Sequence, residues 1–202
     1  MPEAVTPERF TSDALRNDFN RVILERLPLL QLPDAWLVAG CLFQTVWNLR
    51  SGREPTAGIK DYDLFYFDGE DLSPQAEALV GERVAACFSD LSITVEAKNQ
   101  ARVHTWYPDW FGFSYPALHN SREGIDRFLV PCTSVGLRNA QSGQPLTLYA
   151  PHGLEDLYRG ILRPNPLVDH RRLFREKAAS YRERWDWLQI AEPLSAPAGS
   201  AG

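Results

Sequence analysis

The sequence predicts an α+β fold, α/β-like in its alternation: a mixed β-sheet with helices packed on it. Three observations predict it. Helical and strand-like patterns interleave along the chain. Lys60 to Phe67 (KDYDLFYF) alternates and is aromatic-rich, as a half-buried strand is. Across 202 residues, 44% hydrophobic and 11% aromatic content with six Trp supplies material for one sizeable core. Residues 1–190 read as a single domain with N- and C-terminal helices. Residues 191–202, dominated by PLSAPAGSAG from Pro193, read as a disordered tail that offers nothing to bury.

Each element has its own signal. Thr6-Pro7-Glu8 opens a helix, with a hydroxyl at the N-cap and proline in the first turn. Phe10, Ala14, Leu15, Phe19, Val22 and Ile23 continue it at helical spacing until Pro28. Ala35 to Ala39 (AWLVA) is a short apolar strand closed by Gly40, and Cys41 to Leu49 is a helix stopped by Ser51-Gly52. After the Lys60–Phe67 strand, Ser73-Pro74 opens a helix with Ala76, Leu79, Val80, Val84 and Phe88 on its inner face. Leu91, Ile93 and Val95 alternate with Ser92, Thr94 and Glu96 in a third strand. Ser121 to Phe128 reads as helical, and Thr133 to Arg138 and Leu146 to Ala150 as extended. Gly153 to Leu162 and Leu167 to Leu188 read as the final helices.

Composition excludes several function classes. Twenty-one Lys and Arg against 26 Asp and Glu give a net charge of −5, which argues against nucleic acid as a broad-surface partner. The longest apolar stretch, Trp36 to Trp47, is too short for a membrane span, which takes about 20 residues, so no membrane association is expected. Three well-separated cysteines and the absence of a signal-like N-terminus suit a cytoplasmic protein. No zinc-type Cys or His spacing, nucleophile elbow, P-loop or dinucleotide turn is present.

The chemistry concentrates between Gly40 and Glu96. Asp61 and Asp63, two apart on a strand, leave the same face with Cα atoms roughly 6.5 to 7 Å apart. Like charges so placed repel, and a hard divalent cation such as Mg²⁺ or Mn²⁺ relieves that penalty while binding phosphate oxygens. Glu96, on the polar side of its own strand, is a third candidate acid if the two strands are neighbours. Gly40 before a helix lets backbone N–H groups approach a phosphate, with Cys41, Gln44 and Lys60 as accompanying candidates. Arg102 is the best phosphate partner in the polar run after Glu96. Cys41, at a helix N-terminus where a thiolate is favoured, is the one rival nucleophile. The arginines of the last helix alternate with Glu176, Glu183 and Asp186 and read as a charge-paired, solvated face.

A strand ending in Gly, a short helix, then a strand carrying Asp-x-Asp resembles the polymerase-β-like nucleotidyltransferase superfamily. More specifically, AGCLFQTVWNLRSG (39–52), GIKDYDLFYFD (58–68), VEAKNQARVHTWY (95–107), VGLR (135–138), YAPHGLEDL (149–157) and RPN (163–165) resemble a bacterial, uncharacterised nucleotidyltransferase-like branch. The resemblance covers residues 10 to 190. It implies a mixed-sheet nucleotidyltransferase fold, with Asp61 and Asp63 as metal ligands, Glu96 as third acid and Gly40 marking the phosphate loop. It further implies a metal-dependent enzyme that transfers an NMP group from an NTP to an unknown hydroxyl acceptor and releases pyrophosphate. Gly40-Cys41, where the superfamily commonly has Gly-Ser or Gly-Gly, motivates an alternative: a catalytically inactive nucleotide-binding or partner-binding module on the same fold.

Overall fold

The computed structural model describes residues 4–139, 145–168 and 170–191. The expected tail lies outside these from residue 192 on. The chain begins with helices α1 (Pro7–Ala14) and α2 (Asp18–Arg26), then strand β1 (Trp36–Val38), helix α3 (Gly40–Arg50) and strand β2 (Asp61–Tyr66). Helix α4 (Pro74–Cys87) crosses to β3 (Thr94–Asn99), followed by α5 (Val103–Phe111) and α6 (Ser121–Ile125). Strands β4 (Gly136–Arg138) and β5 (Thr147–Tyr149), helix α7 (Glu155–Arg159), strand β6 (Ile161–Leu162), helix α8 (Arg171–Arg184) and strand β7 (Gln189–Ile190) complete it.

Five strands form a mixed sheet in the order β3-β2-β1-β4-β5. β2 and β3 are parallel, which is why a helix must connect them, and the other neighbours are antiparallel. The pleat divides the residues of β2 between two faces. Tyr62, Leu64 and Tyr66 are buried in the main core with Leu37 of β1 and Val95 and Ala97 of β3. Asp61, Asp63 and Phe65 take the opposite face. There a small cluster of Trp36, Val38 and Ile125, with Phe65, Phe128 and Tyr149 against it, covers one part of the sheet. The part that carries the acids lies outside that cluster.

Several expectations are corrected by tertiary contacts. The first helix is two: α1 stops at Ala14, and Asn17 caps α2 by accepting from Phe19 N at 3.1 Å. Asn17 breaks the helix because its carboxamide is also needed in the core, where Nδ2 donates to Thr45 Oγ1 at 3.1 Å and Tyr62 OH at 3.2 Å. Leu79, expected on the inner face of α4, is 62% exposed, because only a narrow stripe around Val84 and Phe88 meets the sheet. The third strand starts at Thr94 rather than Leu91, whose N–H closes a turn onto Phe88 O at 3.0 Å. The segment after β3 forms α5, and the 133–138 strand shrinks to β4. The helix expected over 153–162 ends at Gly160, whose φ of +72° ends the turn, and the chain continues as β6. β6 pairs in parallel with β7, a two-stranded unit that no local pattern announced.

Helix α8 is anchored by an aromatic nest. Trp47 of α3 meets Trp185 at 5.2 Å and Tyr181 at 5.3 Å between centroids. Trp185 Nε1 donates to Asn48 Oδ1 at 3.1 Å, and Trp47 Nε1 to Leu157 O at 2.9 Å, so neither buried indole leaves its donor unsatisfied. Trp185→Ala is expected to cost about 3 to 5 kcal/mol in denaturant unfolding, through the cavity and the orphaned Asn48 acceptor. A loss under about 1 kcal/mol would mean that α8 is not integral to the fold.

Candidate functional site

The site is built where β1 passes into α3. Ala39 has φ +51° and ψ −112°, an unusual conformation for a residue with a Cβ. It is held there from both sides: its N–H donates to Val135 O at 3.0 Å, and its carbonyl accepts from Leu42 N at 3.0 Å and Phe43 N at 3.1 Å. The turn brings the first N–H groups of α3, with their partial positive charge, to the sheet edge of a cavity. Gly40 lines that cavity, and a Cβ there would stand 3.0 Å from Gln44 Nε2. Gln44 also lines the cavity, and its Oε1 is buried with no hydrogen-bond partner among the described residues.

Register brings the acids to the same place. Asp63 stands opposite Val38, the last residue of β1, and opposite Glu96 of β3 on its other side. Asp61, Asp63 and Glu96 therefore share one face of adjacent strands, as their alternation required. Asp63 is partly buried, and its carboxyl is pushed up from the ordinary 3.8 to about 6. Loss of solvation is the largest cause, followed by repulsion from Glu96 and then Asp61. Lys98 and Lys177 pull weakly the other way. Glu96 itself is half-exposed, with Oε2 3.5 Å from Lys98 Nζ. Among the described residues, no three His, Cys, Asp or Glu side chains are grouped closely enough to form a ready metal cage.

The cavity holds about 750 Å³. Asp61 and Asp63 form its acidic side together with Gly40 and Gln44; Lys60, Arg127, Lys177 and Arg184 supply its cations, and Phe43, Phe128 and Tyr181 its apolar surface. Most other arginines near a carboxylate are paired with it. Lys60, Arg127, Lys177 and Arg184 have no carboxylate within ion-pair distance among the described residues. Arg184 donates to Gly58 O at 3.0 Å and lies over the Trp185 ring, and desolvation lowers its pKa.

Of the residues singled out from sequence, Gly40, Gln44, Lys60, Asp61 and Asp63 line this cavity. Glu96 is the register partner of Asp63 but is not part of this lining, and lines instead the groove between β3 and α4. Two more residues are placed elsewhere. The Cys41 side chain is fully buried in the core, with Sγ 3.6 Å from Val38 O, so only its backbone can face a phosphate. Burial, then the charge of Asp63, raises its thiol well above the usual range, which removes the thiolate a nucleophile needs. Arg102 is 8% exposed and ion-paired to Glu77, with Nε donating to Leu72 O at 3.2 Å; it too lines the groove between β3 and α4.

Sequence reasoning missed Arg127 and the face of α8. Lys177, Ser180, Tyr181 and Arg184 fall at i, i+3, i+4 and i+7, one helical stripe directed at the cavity. That spacing is visible in the sequence, but the interleaved acids made the helix look solvated. More than a hundred residues separate the stripe from the acid pair.

A family model described as nucleotidyltransferase matches residues 25–190. The chain belongs to this nucleotidyltransferase family. As such it is a transferase of the class that moves a nucleotidyl group from an NTP. It is similar to a solved structure titled "The NMR structure of the protein reveals a CCA-adding enzyme head domain", with a TM-score of 0.76 and 26% identity, covering 93% of this chain and 97% of that one. It also shares its fold with a structure titled "tRNA-processing enzyme (apo form I)", at a TM-score of 0.51 and 15% identity over 94% of this chain, and spans 45% of that longer chain. Among curated proteins, no relative matches the sequence. No helix among the described residues is long and apolar enough to cross a membrane.

Because the folded state holds a proton on Asp63 more tightly than the unfolded chain does, this residue's contribution to stability falls as pH rises from about 4 through 6. Without divalent metal, Asp63→Asn is expected to be more stable than wild type at pH 7 by about 1 to 3 kcal/mol, with the gap closing toward pH 4. Melting curves across pH in chelator check this. A variant less stable than wild type at pH 7 would contradict the repulsive cluster.

Proposed function

We propose that the cavity binds an NTP with Mg²⁺ or Mn²⁺ and transfers its NMP group to a hydroxyl acceptor, releasing pyrophosphate. The observation that carries this reading is one cavity at a helix N-terminus lined both by two carboxylates, Asp61 and Asp63, and by four cations that have no carboxylate within ion-pair distance among the described residues. A metal–polyphosphate answers both halves at once. The donor set is all oxygen, which suits a hard cation, and the raised pKa of Asp63 marks a charge that a dication would stabilise. Asp61 and Asp63 would hold the metal, which supplies Lewis-acid polarisation of the phosphoryl oxygens when bound. The α3 N-terminus, Lys60, Lys177 and Arg184 support the triphosphate, and Arg127 and Phe128 offer a guanidinium and an apolar ring.

The acceptor oxygen attacks the α-phosphorus in line, the bond to the β-phosphate breaks, and pyrophosphate carries away the electron pair. Glu96, beside Asp63 on the edge strand, takes the hydroxyl proton in this reading. The approach is then over β3, outside the nucleotide cavity. One observation favours the binding-module alternative: Glu96 lies against Lys98 rather than joining the other acids in a ready cluster. Residues 1–190 would act as one domain in a reducing, cytoplasmic setting that keeps Cys41, Cys87 and Cys132 free. Similarity to a protein titled a CCA-adding enzyme head domain makes an RNA end one acceptor to try, alongside small-molecule and protein hydroxyls.

Thermal melting with each NTP and Mg²⁺ tests the site. At a hundredfold excess over Kd, wild type is expected to gain about 2.7 kcal/mol, and only when both ligands are present. Asp61→Asn should lose this gain. Stabilisation by NTP that is indifferent to metal and to Asp61 would overturn the proposed metal role. Lys177 is exposed, so Lys177→Ala should leave unliganded stability within about 0.5 kcal/mol and weaken NTP binding about tenfold. Unchanged affinity would remove α8 from the phosphate site. Pyrophosphate release across an acceptor panel then separates the enzyme from the binding module.

A further inference from the structure

Apart from Lys60, next to the acid pair, the cavity cations stand on two walls that are far apart in the chain. Arg127 belongs to the irregular segment after α6, and Lys177 and Arg184 belong to α8. The segment 126–129 is not part of either sheet, so its carbonyls need other donors. Those of Asp126, Phe128 and Leu129 are met by Asn165, which is 3% exposed and lies in the loop leading to α8. Its Nδ2 donates to Asp126 O at 2.6 Å and to Phe128 O at 2.8 Å. Its backbone N–H donates to Leu129 O at 3.2 Å, and its Oδ1 accepts from Leu167 N at 2.9 Å. One carboxamide thus uses both donors on one wall and its acceptor on the approach to the other.

We propose that Asn165 is a positioning residue for nucleotide: a clasp that sets Arg127 and Phe128 at a fixed place relative to the cationic face of α8. It touches neither acid and is absent from the cavity lining. Its action runs through the backbone of 126–129. Aspartate has nearly the same shape but, when ionised, presents only acceptors toward two carbonyls, so the clasp requires the amide and not merely the volume. The effect on nucleotide rests on the NTP reading above, whereas the clasp itself does not.

Two measurements separate these. In the ligand-free protein, Asn165→Asp and Asn165→Ala should speed amide hydrogen exchange in residues 126–130 while leaving β1 and β2 protected. Asn165→Gln, which keeps both donors one methylene further out, supplies a milder comparison should those variants unfold. Unchanged exchange in this segment overturns the clasp whatever the ligand does. For nucleotide, each NTP with Mg²⁺ is titrated into wild type, Asn165→Ala, Arg127→Ala and the double variant. Each single change should weaken binding about tenfold, and the double variant should lose clearly less than the two losses combined, since the clasp acts through the wall that carries Arg127. Losses that simply add would overturn the positioning role. If wild type binds no NTP, the nucleotide reading fails, and the exchange result still decides the clasp.

Discussion

The rest of the structure depends on holding a self-repelling strand in place from behind. Asp61 and Asp63 on the front of β2 face Glu96 on the neighbouring strand, and nothing in the apolar core can neutralise them. The back of β2 opposes that repulsion. Tyr62, Leu64 and Tyr66 are essentially fully buried, and the Tyr62 hydroxyl exchanges hydrogen bonds with Asn17. Burial of the Tyr62 phenol, the largest cause, pushes its pKa up to about 12 and keeps it neutral in that network. Hydrophobic burial is worth roughly 1.5 to 3 kcal/mol per large side chain, enough for three residues to fix a strand bearing a modest electrostatic penalty.

The same network fixes the phosphate-facing turn. Asn17 also bonds Thr45, Thr45 Oγ1 donates to Cys41 O at 2.6 Å, and Asn20 Nδ2 reaches that same carbonyl at 3.1 Å. The first turn of α3 is therefore tied to α1 and α2 through groups that are fully buried. Acid strand and helix N-terminus share one set of supports, and their relative position is determined by the core rather than by a loop. This arrangement lets Ala39 be kept in a conformation that an isolated strand–helix turn would relax.

The cationic side is held differently. Arg127 comes from an irregular segment whose carbonyls are met by a side chain, and Lys177 and Arg184 ride on a helix pinned by the aromatic contacts of Trp47, Tyr181 and Trp185. One half of the cavity is thus fixed by the sheet and the other by packing between distant parts of the chain. An anion drawn into it would meet donors on rigid elements, where little reorganisation is needed.

What the sequence by itself determined is the local part. The period-two pattern of KDYDLFYF places Asp61 and Asp63 on one face and the tyrosines on the other, because alternation is a property of a single strand. Gly40 at a strand end, and the caps at Thr6 and Ser73, are equally local, since each is settled within a few residues. Only the tertiary structure decided that Asp63 and Glu96 are register partners, that the Cys41 thiol faces the core, and that Arg102 is occupied by Glu77. It alone showed that the stripe of α8 beginning at Lys177 closes the cavity. These facts depend on which elements pack together. Solvation and charge pairing are set by neighbours in space, and residues 63 and 177 become neighbours only once the core has folded between them.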